Sequence, residues 1–184
     1  FRFGRERRGD VNMLKSMESI YGFKVIAFEK KKWNNKVISS SAIRSELEKG
    51  NMEAVNAMLG TPYSITGKVM HERKIGRTLG MPTTNLISQE NKLLPPNGVY
   101  VTRTIIDGKY YPGMTNIGFK PTVGKDKHIS IETYIYDFER DLYGREITVE
   151  FLFYVRPEIK FDSIGELKAR MDEDLAFGRK YFEI

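Results

Sequence analysis

The stretch from Gly67 to Asn85, G-K-V-M-H-E-R-K-I-G-R-T-L-G-M-P-T-T-N, holds the densest chemistry in the chain. Glycines at positions 67, 76 and 80 let a backbone turn tightly and bring its N–H groups up to a bulky anion. Lys68, Arg73, Lys74 and Arg77 supply positive charge for phosphate oxygens. The Thr83 hydroxyl and the Asn85 carbonyl are hard, neutral donors that suit Mg²⁺ when phosphates bring the negative charge. The segment therefore reads as a nucleotide-phosphate and metal site. It reads equally well as a basic surface hairpin with turn glycines, and chemistry alone does not separate the two.

Neither of the common phosphate loops is present. G-x-x-x-x-G-K-[ST] and G-x-G-x-x-G occur nowhere, so a nucleotide bound here would use another scaffold. With no cysteine, disulfides, thiolate catalysis and Cys-based zinc sites are excluded. His71 and His128 are too few and too isolated for a zinc triad. No apolar run approaches the length of a membrane span, so no membrane role is expected, and a cytoplasmic location is. A net charge of +6 favours anionic ligands without choosing between a nucleotide, a nucleic acid and an acidic lipid. The chain opens Phe1-Arg2-Phe3-Gly4, with neither an initiator Met nor a signal-peptide pattern, and is expected to be part of a longer protein.

The elements that must position this chemistry fall into two regions. Residues 1–60 read as mixed α/β. Val11, Leu14, Met17 (or Met13) and Ile20 give a helix to Tyr21 stopped by Gly22. Phe23 to Phe28 reads as a short buried strand, and Glu29 to Lys36, with Lys30 to Lys32, as a solvated loop. Ser41 is expected to cap a helix to Lys49, and Asn51 a second one ending at Gly60. So few apolar positions make a thin core. Thr61-Pro62 marks the boundary.

From residue 63 to 160 the period changes to two. Ile147, Val149, Phe151, Phe153 and Val155 alternate with other residues, as do Ile129, Ile131 and Ile135. Turn clusters at Pro95–Gly98, Asp107-Gly108 and Tyr143-Gly144 punctuate the runs. The fold class is α+β, mainly β: a small antiparallel, Greek-key-like β-barrel. It is followed by a C-terminal helix opened by the capping box Ser163-Ile164-Gly165-Glu166, with Ile164, Leu167, Met171, Leu175 and Phe182 on one face.

Residues 61–184 resemble the riboflavin kinase domain. The matching segments, in order, are G-R-T-L-G-M-P-T-T-N from Gly76, L-L-P-P-N-G-V-Y from Leu93 and N-I-G-F-K-P-T from Asn116. They continue with I-E-T-Y-I-Y-D-F from Ile131, D-L-Y-G from Asp141 and R-P-E-I-K-F from Arg156. Residues 1–60 resemble the C-terminal part of the FMN adenylyltransferase domain, a nucleotidyltransferase fold, that precedes this kinase in bacterial bifunctional FAD synthetases. The carriers are F-R-F-G with Gly9-Asp10, and I-S-S-S-A-I-R from Ile38.

The resemblance implies transfer of the ATP γ-phosphate to the 5′-hydroxyl of riboflavin, giving FMN and ADP with Mg²⁺ as cofactor. It implies Thr83 and Asn85 as metal ligands and Glu132 as catalytic base. It also implies Gly67, Lys68, Lys74, Gly76, Arg77 and Gly80 about the ATP phosphates, and Tyr143, Arg156 and Phe161 beside the flavin. Without it Glu132 would read as a solvent-facing strand residue, on the face opposite Ile129 and Ile131. Ser39, Ser40 and Arg44 would be a remnant of the adenylyltransferase phosphate site. That half needs an upstream H-x-G-H, which does not occur here, so FAD formation is not expected. Two departures stand out: Glu72 follows His71 where the family has Gly, and P-T-T-N replaces P-T-A-N.

A rival from another class is an OB-like, basic β-barrel that binds nucleic acid. Such a binder interleaves basic and aromatic residues along its strands. Here the basic residues concentrate in the glycine-rich stretch and the run from Ile147 to Val155 has none, so no nucleic-acid partner is expected.

Overall fold

The computed structural model describes residues 2–70, 81–88, 91–120 and 128–184. Two compact units divide the chain, residues 1–38 and 39–184. In the first, the Asp10 carboxylate accepts from the Met13 N–H at 3.0 Å and caps α1 (Val11–Tyr21), which ends on Gly22 in the left-handed region. No residue of α1 is buried. Phe23 to Phe28 is not a strand, contrary to its apolar composition, and Phe28 is 89% exposed. A strand needs a hydrogen-bonded partner, and the sheet described in this unit is only the hairpin of β1 (Lys32–Trp33) and β2 (Lys36–Val37).

The second unit opens with α2 (Ser40–Glu48) and α3 (Met52–Leu59). The cap of α2 is Ser39 rather than Ser41: its Oγ accepts from the Ala42 N–H at 3.2 Å. Asn51 caps α3 and Gly60 ends it, as the sequence indicates. Met52, Val55 and Met58 of α3 are buried, and the helix lies against β3 (Tyr63–Met70) and β8 (Glu146–Arg156). The Asn56 amide fastens it there, donating to the Phe151 carbonyl at 2.8 Å and accepting from the Tyr63 N–H at 2.7 Å. Both helices thus share a compact unit with the barrel.

Between β3 and β8 run β4 (Thr83–Ser88), β5 (Gly98–Ile106), β6 (Lys109–Lys120) and β7 (His128–Ile135). All six are antiparallel and close into a barrel in the order β3-β4-β7-β6-β5-β8. Asp107 and Gly108, both with positive φ, make the two-residue turn between β5 and β6. The interior holds Ile65, Val69, Leu86, Tyr100, Ile117, Ile131, Val149 and Phe151. A column of threonines crosses it: Thr115 Oγ1 is 2.8 Å from both Thr102 Oγ1 and Thr133 Oγ1, so these buried hydroxyls satisfy one another.

Strand alternation leaves a second, outer face. The helix α4 (Ile164–Phe182) covers part of it, packing Leu175 and Phe182 on Val99, Val101, Met114 and Tyr136. Ser163 caps the helix, as its sequence indicates. The expected apolar face is right from Leu167 to Phe182 but not at Ile164, which is exposed before the helix meets the barrel. Gly178 permits the contact, since a Cβ there would collide with Tyr136 Oη and Met114 Sδ. Tyr136 donates to the Leu175 carbonyl at 2.7 Å, and burial pushes its phenol well above the ordinary tyrosine range.

Candidate functional site

On the outer face, one row of residues crosses the sheet. Met70 pairs with Asn85, Asn85 with Glu132, Glu132 with Asn116, Asn116 with Val99 and Val99 with Arg156. Their interior neighbours are the core residues Leu86, Ile131 and Ile117, so alternation turns Asn85, Glu132 and Asn116 outward together. Three polar side chains from three strands therefore meet side by side, although Asn85 and Glu132 are 47 positions apart in sequence (132 − 85).

Ser130 joins two of them. It precedes Glu132 by two positions and shares its face. Its Oγ lies 2.7 Å from Asn85 Oδ1 and 3.2 Å from Glu132 Oε1. Asn85 and Ser130 are 8% and 7% exposed, while Glu132 is half-buried and reaches solvent at the row's surface. Thr83, two residues before Asn85, is half-buried and on the same face, opposite Tyr134. Thr84 points the other way and donates to the Thr133 carbonyl at 3.2 Å.

Thr83 and Asn85 offer neutral oxygens, and among the described residues no group of three or more His, Cys, Asp or Glu is assembled. This donor set fits Mg²⁺ bound together with phosphate oxygens, not a cation held by protein carboxylates alone. Lys68 is exposed on the outer face of β3, two residues before Met70. Gly67 faces the interior, where a Cβ would collide with the Ile87 carbonyl oxygen, so close strand approach explains this glycine. Lys74, Gly76, Arg77 and Gly80 lie outside the described residues.

At the far end of the row the Arg156 guanidinium is held in place. Its Nε is 2.9 Å and 3.1 Å from the two Asp174 oxygens, its Nη2 is 2.6 Å from Oδ2, and Nη1 donates to the Pro157 carbonyl at 3.0 Å. This bidentate pair ties the end of β8 to α4 and sets where the connection carrying the half-buried Phe161 leaves the barrel. Tyr143 precedes β8 whereas Arg156 ends it. The strand is 11 residues long and Arg156 is its last, a span of roughly 30 Å at about 3.3 Å per residue. The fold puts Arg156 at one end of β8 and Tyr143 before the other, where the Gly144 and Val69 backbones bond; Phe161 lies in the connection after Arg156.

Three residues of the site were not singled out from sequence. Ser130 carried a usable signal, because period two places it beside Glu132. Asn116 did not: only the β6–β7 register sets it opposite Glu132. Glu158 accepts from Asn97 at 3.0 Å and stands against Gly118, where a side chain would collide with it. Ser39 is a helix cap, Ser40 begins α2 and Arg44 is exposed.

A family described as Flavokinase: Riboflavin kinase matches residues 59–182. A bifunctional riboflavin kinase/FMN adenylyltransferase of Buchnera aphidicola is 39% identical over 100% of this chain and 59% of its own length. The Bacillus subtilis protein of the same description is 40% identical over 84% of this chain and 49% of its own length. A crystal structure described as a macrolide-efflux protein from Streptococcus pneumoniae superposes with a TM-score of 0.86 at 30% identity, covering 97% of this chain and 57% of that one. The chain thus spans about half to three fifths of the proteins it matches. No helix among the described residues is long and apolar enough to cross a membrane.

Proposed function

Because this chain belongs to the riboflavin kinase family, we propose that its outer-face row is a phosphotransfer site converting riboflavin and ATP to FMN and ADP. The observation that carries the reading is the convergence of Asn85, Ser130 and Glu132 on one face. A neutral oxygen suited to a phosphate-bound cation there adjoins a solvent-reaching carboxylate. In this reading Glu132 takes the proton of the 5′-hydroxyl as its oxygen bonds to the γ-phosphorus and the bond to ADP breaks. Thr83 and Asn85 would hold Mg²⁺, which would supply positive charge to the phosphate oxygens.

Lys68, with Lys74, Gly76, Arg77 and Gly80, is assigned in this reading to the ATP phosphates. The flavin ring lies at the Arg156 end, with Phe161 as its apolar wall. There Arg156 acts by fixing α4 and the connection before it, through the bonds of its Nε and Nη2 to Asp174 and of its Nη1 to the Pro157 carbonyl. Residues 1–60 derive, in this reading, from an adenylyltransferase domain, with Ser39, Ser40 and Arg44 left from its phosphate site.

Incubation with riboflavin, ATP and Mg²⁺ is expected to yield FMN by chromatography. Riboflavin left unmodified over hours with Mg²⁺, Mn²⁺ and Zn²⁺ each supplied would refute the reading. Thr83→Ala and Asn85→Ala are each expected to weaken Mg·ATP binding and slow turnover roughly 10- to 100-fold, with riboflavin affinity kept. Equal loss of flavin affinity in a folded variant, read by flavin fluorescence, would contradict the metal assignment.

A further inference from the structure

Resting on this reading of the site, we propose that Ser130 is a positioning residue: it holds the Asn85 amide with Oδ1 toward the metal. A serine hydroxyl carries one proton and two lone pairs. The 2.7 Å contact to Asn85 Oδ1 has the length of an O–H···O bond, whereas an amide N–H···O contact centres nearer 2.9–3.0 Å. Ser130 therefore donates to Asn85, and the amide oxygen faces it.

That bond has two consequences. Oδ1 has a second lone pair, which stays available to a cation. The terminal torsion of an asparagine is otherwise broad and roughly two-fold, so an unheld amide would spend much of its time with N–H donors where the cation belongs. The same hydroxyl lies 3.2 Å from Glu132 Oε1, so one nearly buried oxygen spaces the metal ligand from the base. Strand pairing supports this spacing, because Asn85 and Glu132 are direct register partners and Ser130 lies on the same strand as Glu132. Ser130 itself touches neither the reacting oxygen nor the metal.

The test compares Ser130→Ala and the near-isosteric pair Ser130→Thr and Ser130→Val, which differ by a hydroxyl against a methyl. The first readout is binding of Mn²⁺ with ADP, followed by the electron paramagnetic resonance of bound Mn²⁺. The second is riboflavin affinity by fluorescence, and the third is turnover as a function of metal concentration. Loss of an outer partner of a metal ligand costs roughly 10- to 100-fold in metal affinity. The Ala and Val variants are expected to need at least about 10-fold more Mn²⁺ for half-saturation. Their riboflavin affinity should be unchanged, and Thr should restore near-normal metal dependence. Folded Thr and Val variants with the same metal dependence would overturn the proposal, as would a wild-type chain that binds no Mn²⁺ with ADP. If Mn²⁺ binding depends on Ser130 but wild type leaves riboflavin unmodified, the kinase reading falls and the positioning role stands. If wild type makes FMN and neither variant shifts the metal requirement, the kinase reading stands and this inference falls.

Discussion

Glu132→Gln is expected to lower turnover by about 10²-fold or more while leaving both substrates bound. The substitution keeps the size of the side chain and its place in the row, because the β4–β7 and β6–β7 ladders are made by backbone groups. It also keeps a contact for Ser130, since an amide can donate to or accept from the hydroxyl. What it removes is the carboxylate proposed to receive the proton of the attacking hydroxyl. Phosphoryl transfer depends largely on positioning and charge, so a residual rate from the aligned substrates is expected. Single-turnover measurement of FMN formation, with riboflavin and nucleotide binding measured separately, is the check. Near-normal turnover would return Glu132 to an ordinary strand residue at the barrel surface.

Arg156→Ala is expected to destabilise the second unit by about 3–5 kcal/mol, the range for stranding one member of a buried ion pair. Arg156 and Asp174 side chains are only 10% and 8% exposed, and several hydrogen bonds join them. Removing the guanidinium leaves a carboxylate buried between α4 and the barrel with the partial help of Arg170, 3.9 Å away. For a chain of this size the melting temperature should fall on the order of 10 °C. The double replacement Arg156→Met with Asp174→Leu is expected to recover much of that loss, because neither charge then remains to be desolvated. Thermal unfolding followed by circular dichroism reads both. An Arg156→Ala protein as stable as wild type would show that apolar packing alone holds α4. If Arg156 acts on the flavin only by holding α4, the double variant regains riboflavin affinity as well as stability.

The barrel was legible because its strands alternate strongly and its turns use residues with few other uses. Asp107-Gly108 makes the hairpin its sequence announces, and Gly22, Gly60 and Ser163 bound helices where expected. Phe23 to Phe28 misled because composition reports hydrophobicity, whereas a strand also needs a neighbour. Sequence pattern assigns the helices before residue 60 to the first region. Their buried faces, Leu47, Met52, Val55 and Met58, belong with the barrel unit, which a local pattern does not disclose.

At the site, sequence alone determined the kinds of atoms on offer: neutral oxygens at Thr83 and Asn85, a carboxylate at Glu132, cations and glycines between. It also set the parity of each strand, and hence that Ser130 and Glu132 share a face. Tertiary structure decided which strands lie side by side and in what register, and so that Asn85, Glu132 and Asn116 form one row. It also decided that Arg156 is bound to Asp174 and that Tyr143 sits a strand's length away. The physical reason is that alternation is a local consequence of backbone geometry. Register is instead fixed by how six strands close around a single core, and a shift of one residue would turn the whole row into the interior.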